Sequence, residues 1–439
     1  MIRPVFTTIL LLLFAAVAFG QSDANVRNIP FDTIRTGEVK PTAIGVEDMK
    51  YIGSTPITKD DTGYMRAATG IVKYDIEFYA DFDLVEIDSF YIRTYEIKVM
   101  DRLAWERLGA TRLVQLEAEF PGQNMRVRWR LTDTQHDQEI GKGVVENSKL
   151  RWREVGHDVA NEIVRTLTGD RGIFRTKIAY CKKVGKGKEI FMADYDGANE
   201  QQLTSNGSIN ISPCWTPDGK EIFFTSFQAG PAQIFKVDVT TKKVTKIAAF
   251  PGINSAPAVS PDGLKLACVL SKDGNSEVYV LDINGRIIKR VTNTPRSIES
   301  GPTWSPNGNL LAFSSDRTGA PQIYFSDADG IRVNRLTYEG RYNDSPIWSI
   351  RGNRVTFVSR TPQGRFDLAS IDTSGRNPHL MTGFGQNENP HFSPDGKHIV
   401  FASTRLGGTD IFMCDASGRN QRRITTTGTC SNPTWGPMR

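Results

Sequence analysis

The alternation of apolar and polar residues changes character several times along the chain. After Arg3, residues Ile9–Phe19 run without a charge and close on small residues at Ala18 and Gly20. A basic start, a short apolar run and a small-residue end predict a secretory signal, residues 1–20, cleaved before Gln21. The run is about half the roughly 20 residues that a membrane-spanning helix needs. Residues 21–40 hold only isolated Val26, Ile29, Phe31 and Ile34, and read as a mobile arm. Beyond it, Asp101–Leu108 has helical spacing and stops at Gly109, and Thr111–Phe120 reads as a strand. Met125–Leu131 alternates strictly, with Arg126, Arg128 and Arg130 on one face, as in a half-buried strand. Trp152, Val155, Val159, Ile163 and Leu167 fall on one face of a helix that ends at Gly169. This mixture predicts a small α/β domain over residues 41–168, followed by a linker at 169–176.

From residue 177 to 439 a unit of about 44 residues repeats. The stretch Ser212-Pro213-Cys214-Trp215-Thr216-Pro217-Asp218-Gly219 returns around Pro257, Pro302, Pro346 and Pro390, with turn glycines at Gly219, Gly263, Gly308, Gly352 and Gly396. A second marker, an Asp after an apolar run, stands at Asp194, Asp238, Asp282, Asp327, Asp372 and Asp415 in the same register. Each unit reads as four short strands; in one of them these are Ile211–Thr216, Glu221–Ser226, Gln233–Asp238 and Lys243–Ala248. Pro-Asp-Gly makes a tight hairpin turn, and a proline within a strand requires a free edge such as the wall of a central channel. Four-stranded units of this period predict a β-propeller. Five hairpins are complete. The sixth is split, with Asn432–Pro437 as its first strand and Lys177–Cys181, Glu189–Asp194 and Glu200–Thr204 as the rest. The predicted fold is therefore a small α/β domain followed by a six-bladed propeller latched by its C-terminal strand. Trp215, Trp304, Trp348, Phe392 and Trp435 share one register position, Val259 being the exception, and are expected to pack between sheets.

Composition adds mainly exclusions. A net charge of +5 over 439 residues gives no electrostatic reason to bind nucleic acid, and the Arg126/Arg128/Arg130 stripe reads as a solvated strand face. The five cysteines form no CxxC pair. Cys181, Cys214, Cys268 and Cys414 sit in strand-like runs as small hydrophobes, while Cys430 falls in a Thr/Gly/Ser-rich stretch read as a loop. No GxSxG, HExxH or P-loop motif is present, and His379, His391 and His398 share a blade without converging. No catalytic residue and no cofactor is expected; a divalent cation at an acidic channel mouth is the one candidate ligand ion.

The residues just before each first-strand proline should ring the channel mouth. Those singled out are Asn210, Ile253, Asn254, Ala256, Glu299, Ser300, Gly301, Asn343, Asp344, Asn387 and Glu388. Small polar groups converging on an opening suit a docked protein loop. Asn at a strand turn also caps that turn, which leaves both readings open.

Thr168–Tyr180, Asp194-Tyr195-Asp196-Gly197 and Phe250–Ala258, with Ile44-Gly45-Val46 and Leu108-Gly109-Ala110 in the first domain, resemble the TolB family of the Gram-negative Tol–Pal system. The resemblance implies a non-enzymatic, monomeric periplasmic protein with no membrane insertion. It implies a Pal-type outer-membrane lipoprotein bound at the channel mouth and a TolA-type inner-membrane protein bound by the arm, in support of outer-membrane invagination and integrity during division. The competing classes are an exported propeller enzyme and a ligand-binding scaffold unrelated to Pal.

Overall fold

The computed structural model describes residues 40–87 and 101–438, and the predicted signal and the arm up to residue 39 lie outside them. The N-terminal region is built on one mixed sheet. Strand β1 (Thr42–Val46) runs parallel to both β3 (Phe82–Leu84) and β4 (Arg112–Glu119). Antiparallel β5 (Asn124–Asp133) and β6 (Gln138–Ser148) extend the sheet, and the two-residue β2 (Lys50–Tyr51) pairs with the far end of β4. Helices α1 (Lys59–Phe78) and α3 (Trp152–Thr168) cover one face, and α2 (Arg102–Arg107) is a short helix capped by Asp101.

The strict alternation in β5 is what makes this sheet two-faced. Met125, Val127, Trp129 and Leu131 are buried under the helices. On the other face Arg126 pairs with Glu119 and Glu146, Arg128 with Glu119, and Arg130 with Glu139. The basic stripe is thus matched by carboxylates on neighbouring strands. Gly143 is required where β6 crosses Trp129, because a Cβ there would lie 2.6 Å from the indole nitrogen.

The helix α1 has no counterpart in the sequence reading above. It starts at a reciprocal capping box, with Asp61 N donating to Thr58 Oγ1 (3.1 Å) and Thr58 N to Asp61 Oδ2 (3.4 Å). Buried polar Asp61, Thr69 and Asp75 interrupt its apolar face, which hides the helical period.

Six four-stranded antiparallel sheets follow. Blade 1 consists of Lys177–Val184, Gly187–Asp194 and Gln201–Gln202, completed by Cys430–Trp435 at its inner edge. Blades 2 to 6 begin with the inner strands Asn210–Trp215, Asn254–Val259, Glu299–Trp304, Asn343–Trp348 and Asn387–Phe392. Each inner strand packs on the next, and the circle closes between Asn210–Trp215 and Cys430–Trp435. Closure leaves no outer sheet edge unpaired at the ends of the array. The five aromatics at this register position are all buried, while Val259 of blade 3 is half-buried; Trp215, for instance, lies among Ile190 and Met192 of blade 1 and Ile222 and Phe224 of blade 2.

Residues 169–176, expected as a linker, are packed. Ile173 and Phe174 are buried, and Asp170 pairs with Lys397 (2.9 Å) and Arg351 (3.3 Å) of the propeller. The apolar core under α1 and α3 continues into blades 1 and 6 through Ile178, Tyr195, Met413 and Trp435. At this seam Phe78 stacks on His398 (4.3 Å between centroids), and Tyr79 donates to Asp395 Oδ2 (3.0 Å).

Candidate mouth of the propeller channel

The six inner strands enter at the same end of the propeller, and each is bulged around its proline. In blade 2 the pairing with the second strand slips between Ile211 and Cys214, and the other blades slip at the matching place. The residue before each proline carries the bulge with a left-handed backbone: Ser212, Ala256, Gly301, Ser345, Asn389 and Asn432 have φ between +49° and +55°. Left-handed backbone disfavours any residue with a Cβ, so a sixfold recurrence marks a built feature.

Three residues before each proline, the structure corrects the expectation that the side chains present themselves at the opening. Asn210, Asn254, Glu299, Asn343 and Asn387 are 0% exposed. Asn210 Nδ2 donates to Glu189 Oε2 (2.9 Å), Asn343 Nδ2 to Gln322 Oε1 (2.9 Å), and Asn387 Nδ2 to Asp367 Oδ1 (2.8 Å), each tying a blade to its predecessor. Asn254 Nδ2 instead donates to the Phe250 carbonyl (2.7 Å), and Glu299 accepts from Ser315, Arg317 and Thr294. These side chains brace the rim and are not offered to a ligand. In four of the six blades a threonine after the outer strand completes the brace: Thr204, Thr337, Thr382 and Thr425 donate to Glu189, Gln322, Asp367 and Asp410. This Thr–acid pair recurs at the blade period, and it is the sequence signal that would have marked the first ring as structural.

The next ring differs. Ile211, Ser255, Ser300, Asp344, Glu388 and Ser431 are half-buried. Ser300 Oγ lies 3.2 Å from Asp344 Oδ1, and Tyr342 donates to Asp344 Oδ2 (3.0 Å). Burial, then the neighbouring Asp344 charge, pushes the Glu388 carboxyl above its ordinary range, while Lys188 pulls it down. Lys188 Nζ in turn donates to Ser431 Oγ (3.4 Å). Of the three acids expected together, Asp344 and Glu388 are neighbours across blades 5 and 6, whereas Glu299 is buried with Arg317 in blade 4. Among the described residues no group of three or more His, Cys, Asp or Glu side chains is placed to hold a metal ion. The expected cation site therefore reduces to two carboxylates.

Around this ring the loops carry exposed apolar side chains. The connections entering blades 3, 4, 5 and 6 present Ile253 (38% exposed), Ile298 (55%), Tyr338 (69%) and Phe384 (79%), and Leu406 and Val184 lie at the same end. At the opposite end a cavity of about 490 Å³ opens between blades 4 and 5, lined by Pro306, Phe325, Leu336, Trp348 and Arg351.

Two smaller expectations are corrected. His379 lies in blade 5 and His391 and His398 in blade 6; desolvation of the half-buried His391 ring pulls its pKa down to about 4. Cys430 is not in a loop but opens the closing strand, buried, and all five cysteines are free.

The architecture defines a six-bladed β-propeller packed against an α/β region, with the ring closed by the C-terminal strand. A family model described as the TolB β-propeller domain matches residues 164–439, and the chain belongs to that family. It is 30% identical over 245 residues to the Tol-Pal system protein TolB of Roseobacter denitrificans, covering 54% of this chain and 53% of that one. It is 35% identical over 193 residues to the Tol-Pal system protein TolB of Nitrosomonas europaea, covering 43% and 44%. The match thus spans about half the length of these curated relatives. In three dimensions the chain resembles the crystal structure of TolB from Acinetobacter baumannii, with TM-score 0.78 and 26% identity over 91% of this chain and 97% of that one.

Proposed function

We propose that this chain is a non-enzymatic, periplasmic component of a Tol–Pal system that works by docking other proteins. A Pal-type lipoprotein binds across the channel mouth, and a TolA-type protein binds the N-terminal arm. The observation that carries the reading is the arc of exposed apolar side chains from Ile253 to Phe384 on four successive loops around Ser300, Asp344 and Glu388. Apolar groups this exposed, flanking a partly desolvated polar centre, have the composition of a protein-docking surface. Membership of the TolB family, whose curated relatives are named as Tol-Pal system proteins, supports a partner from that system. No helix among the described residues is long and apolar enough to cross a membrane.

The test is calorimetric titration with the soluble domain of a Pal-type lipoprotein. The double variant Tyr338→Glu/Phe384→Glu should weaken binding by about 100-fold or more, as expected for two buried aromatic anchors. Unaltered affinity would exclude the mouth as the docking surface. Removing residues 21–39 should leave this titration unchanged and abolish capture of a TolA-type domain.

A further inference from the structure

Three features that close other seams of the propeller are missing between blades 4 and 5, where the cavity of about 490 Å³ opens. In blades 1, 3, 4 and 6 the glycine of the third-to-fourth-strand turn abuts the end of the preceding blade's outer strand. From the Cβ positions of Gly197, Gly285, Gly330 and Gly418, the carbonyl oxygens of Ile424, Ile247, Val291 and Met381 are 2.0–2.4 Å away. From Gly375 of blade 5 the matching oxygen, that of Leu336, is 3.4 Å away. Trp215 and Trp304 each send the indole N–H across the seam to the preceding blade's inner strand, to the carbonyls of Thr434 (3.4 Å) and Ala258 (2.9 Å). Trp348 bonds instead to Gly352 of its own turn (3.3 Å). Blades 2, 4 and 6 stack an aromatic pair on the face turned to the preceding blade, as Phe224 does with Phe235, whereas in blade 5 Phe357 has Ala369 opposite.

The cavity wall is apolar at positions where other blades are polar. Leu310 and Phe325 of blade 4, both half-buried, hold the register positions of the Glu221–Lys236 ion pair in blade 2 and of Arg354 and Ser370 in blade 5. With Pro306, Leu336 and Trp348 they enclose a space of the size and character of a small-molecule site.

The charge at its edge is altered too. The first-to-second-strand turn carries Asp218, Asp262 and Asp395 in blades 2, 3 and 6, but Asn307 and Arg351 in blades 4 and 5, and both of these line the cavity. Arg351 is held by Nε donating to the Asp395 carbonyl (3.1 Å) and Nη2 to Asp170 Oδ2 (3.3 Å), which leaves Nη1 without a partner among the described residues. Asp170 also pairs with Lys397 (2.9 Å), so one carboxylate is shared by two cations and the edge keeps a positive excess. A guanidinium with a free N–H beside an apolar space is suited to a carboxylate.

We propose that this cavity binds a small amphiphilic acid, its apolar body against Leu310, Phe325 and Trp348 and its carboxylate on Arg351. The site lies at the opposite end of the propeller from the mouth, so it goes beyond the docking reading and does not depend on it. An acyl chain and an aromatic ring share this chemistry, and decanoate and 2-naphthoate separate them. Titrated into the isotope-labelled full chain, at least one should give saturable NMR shifts at the Trp348 indole N–H and the Gly352 amide, and the tighter of the two identifies the body. The corresponding neutral amides should bind about five-fold more weakly, and Arg351→Gln should weaken the acid by about the same factor without affecting the amide. Leu310→Trp fills the cavity from its half-buried wall and should abolish the shifts. If that variant does not fold, the amide and Arg351→Gln comparisons decide the matter on their own. Absence of saturable shifts with both acids, equal affinity for acid and amide, or undiminished binding in folded Leu310→Trp would each overturn the proposal.

Discussion

The propeller and the α/β region bury polar groups in different ways. In the propeller one brace recurs from blade to blade: a threonine hydroxyl on an acid or amide, and in three blades an asparagine amide on the same group. In the seam under α1 the polar contacts occur once each. Asp75 is wholly buried, with His157 Nδ1 at 2.7 Å and the Tyr195 hydroxyl donating to its other oxygen, and burial pushes its carboxyl above the ordinary range. A repeated brace spreads the load, so that no single blade decides the fold. A unique network makes the two regions interdependent, because removing one partner leaves another buried group without its bond.

Breaking the ring should have the largest effect. Trp435 is 3% exposed, its indole donates to Thr176 Oγ1 (2.8 Å), and its strand completes blade 1. Deleting Asn432–Arg439 should lower the Tm on the order of 10 °C, since losing this one side chain alone corresponds to about 3–5 kcal/mol. A truncated protein that melts like the full chain would show that closure adds little. Phe78→Ala tests whether the α/β region and the propeller share one core. It should cost about 3–5 kcal/mol and shift a single cooperative transition in calorimetry. Two separated transitions, with the propeller's unmoved, would show that the regions fold independently. The smallest effect has the opposite sign. Ala256 holds φ +50° in the bulge where blade 4 has glycine, and Ala256→Gly should stabilise by up to about 1 kcal/mol in urea denaturation. A loss of stability would mean that the Ala256 methyl packs well enough to outweigh its strain.

Legibility in the sequence followed repetition. The strands Glu221–Ser226 and Gln233–Asp238 fall where the repeat places them, and helix α3 ends at Gly169, which has φ +78°. The helix at Lys59–Phe78 was not legible, because its buried face includes Asp61, Thr69 and Asp75 and so breaks the apolar period. At the mouth the pattern located the rim but not the direction each residue faces. Asn343, buried against Gln322, and Asp344, at the half-buried ring, are adjacent residues of one strand, and the bulge follows them.

What the sequence alone determined was the number of blades, the closing strand and the end at which the loops gather, since each follows from spacing that one chain carries twice or more. Only the tertiary structure decided which polar residues are consumed in bracing and which face the half-buried ring. Burial and hydrogen-bond partnership depend on neighbours from other blades, as for Asn343, whose amide is spent on Gln322 of the preceding blade.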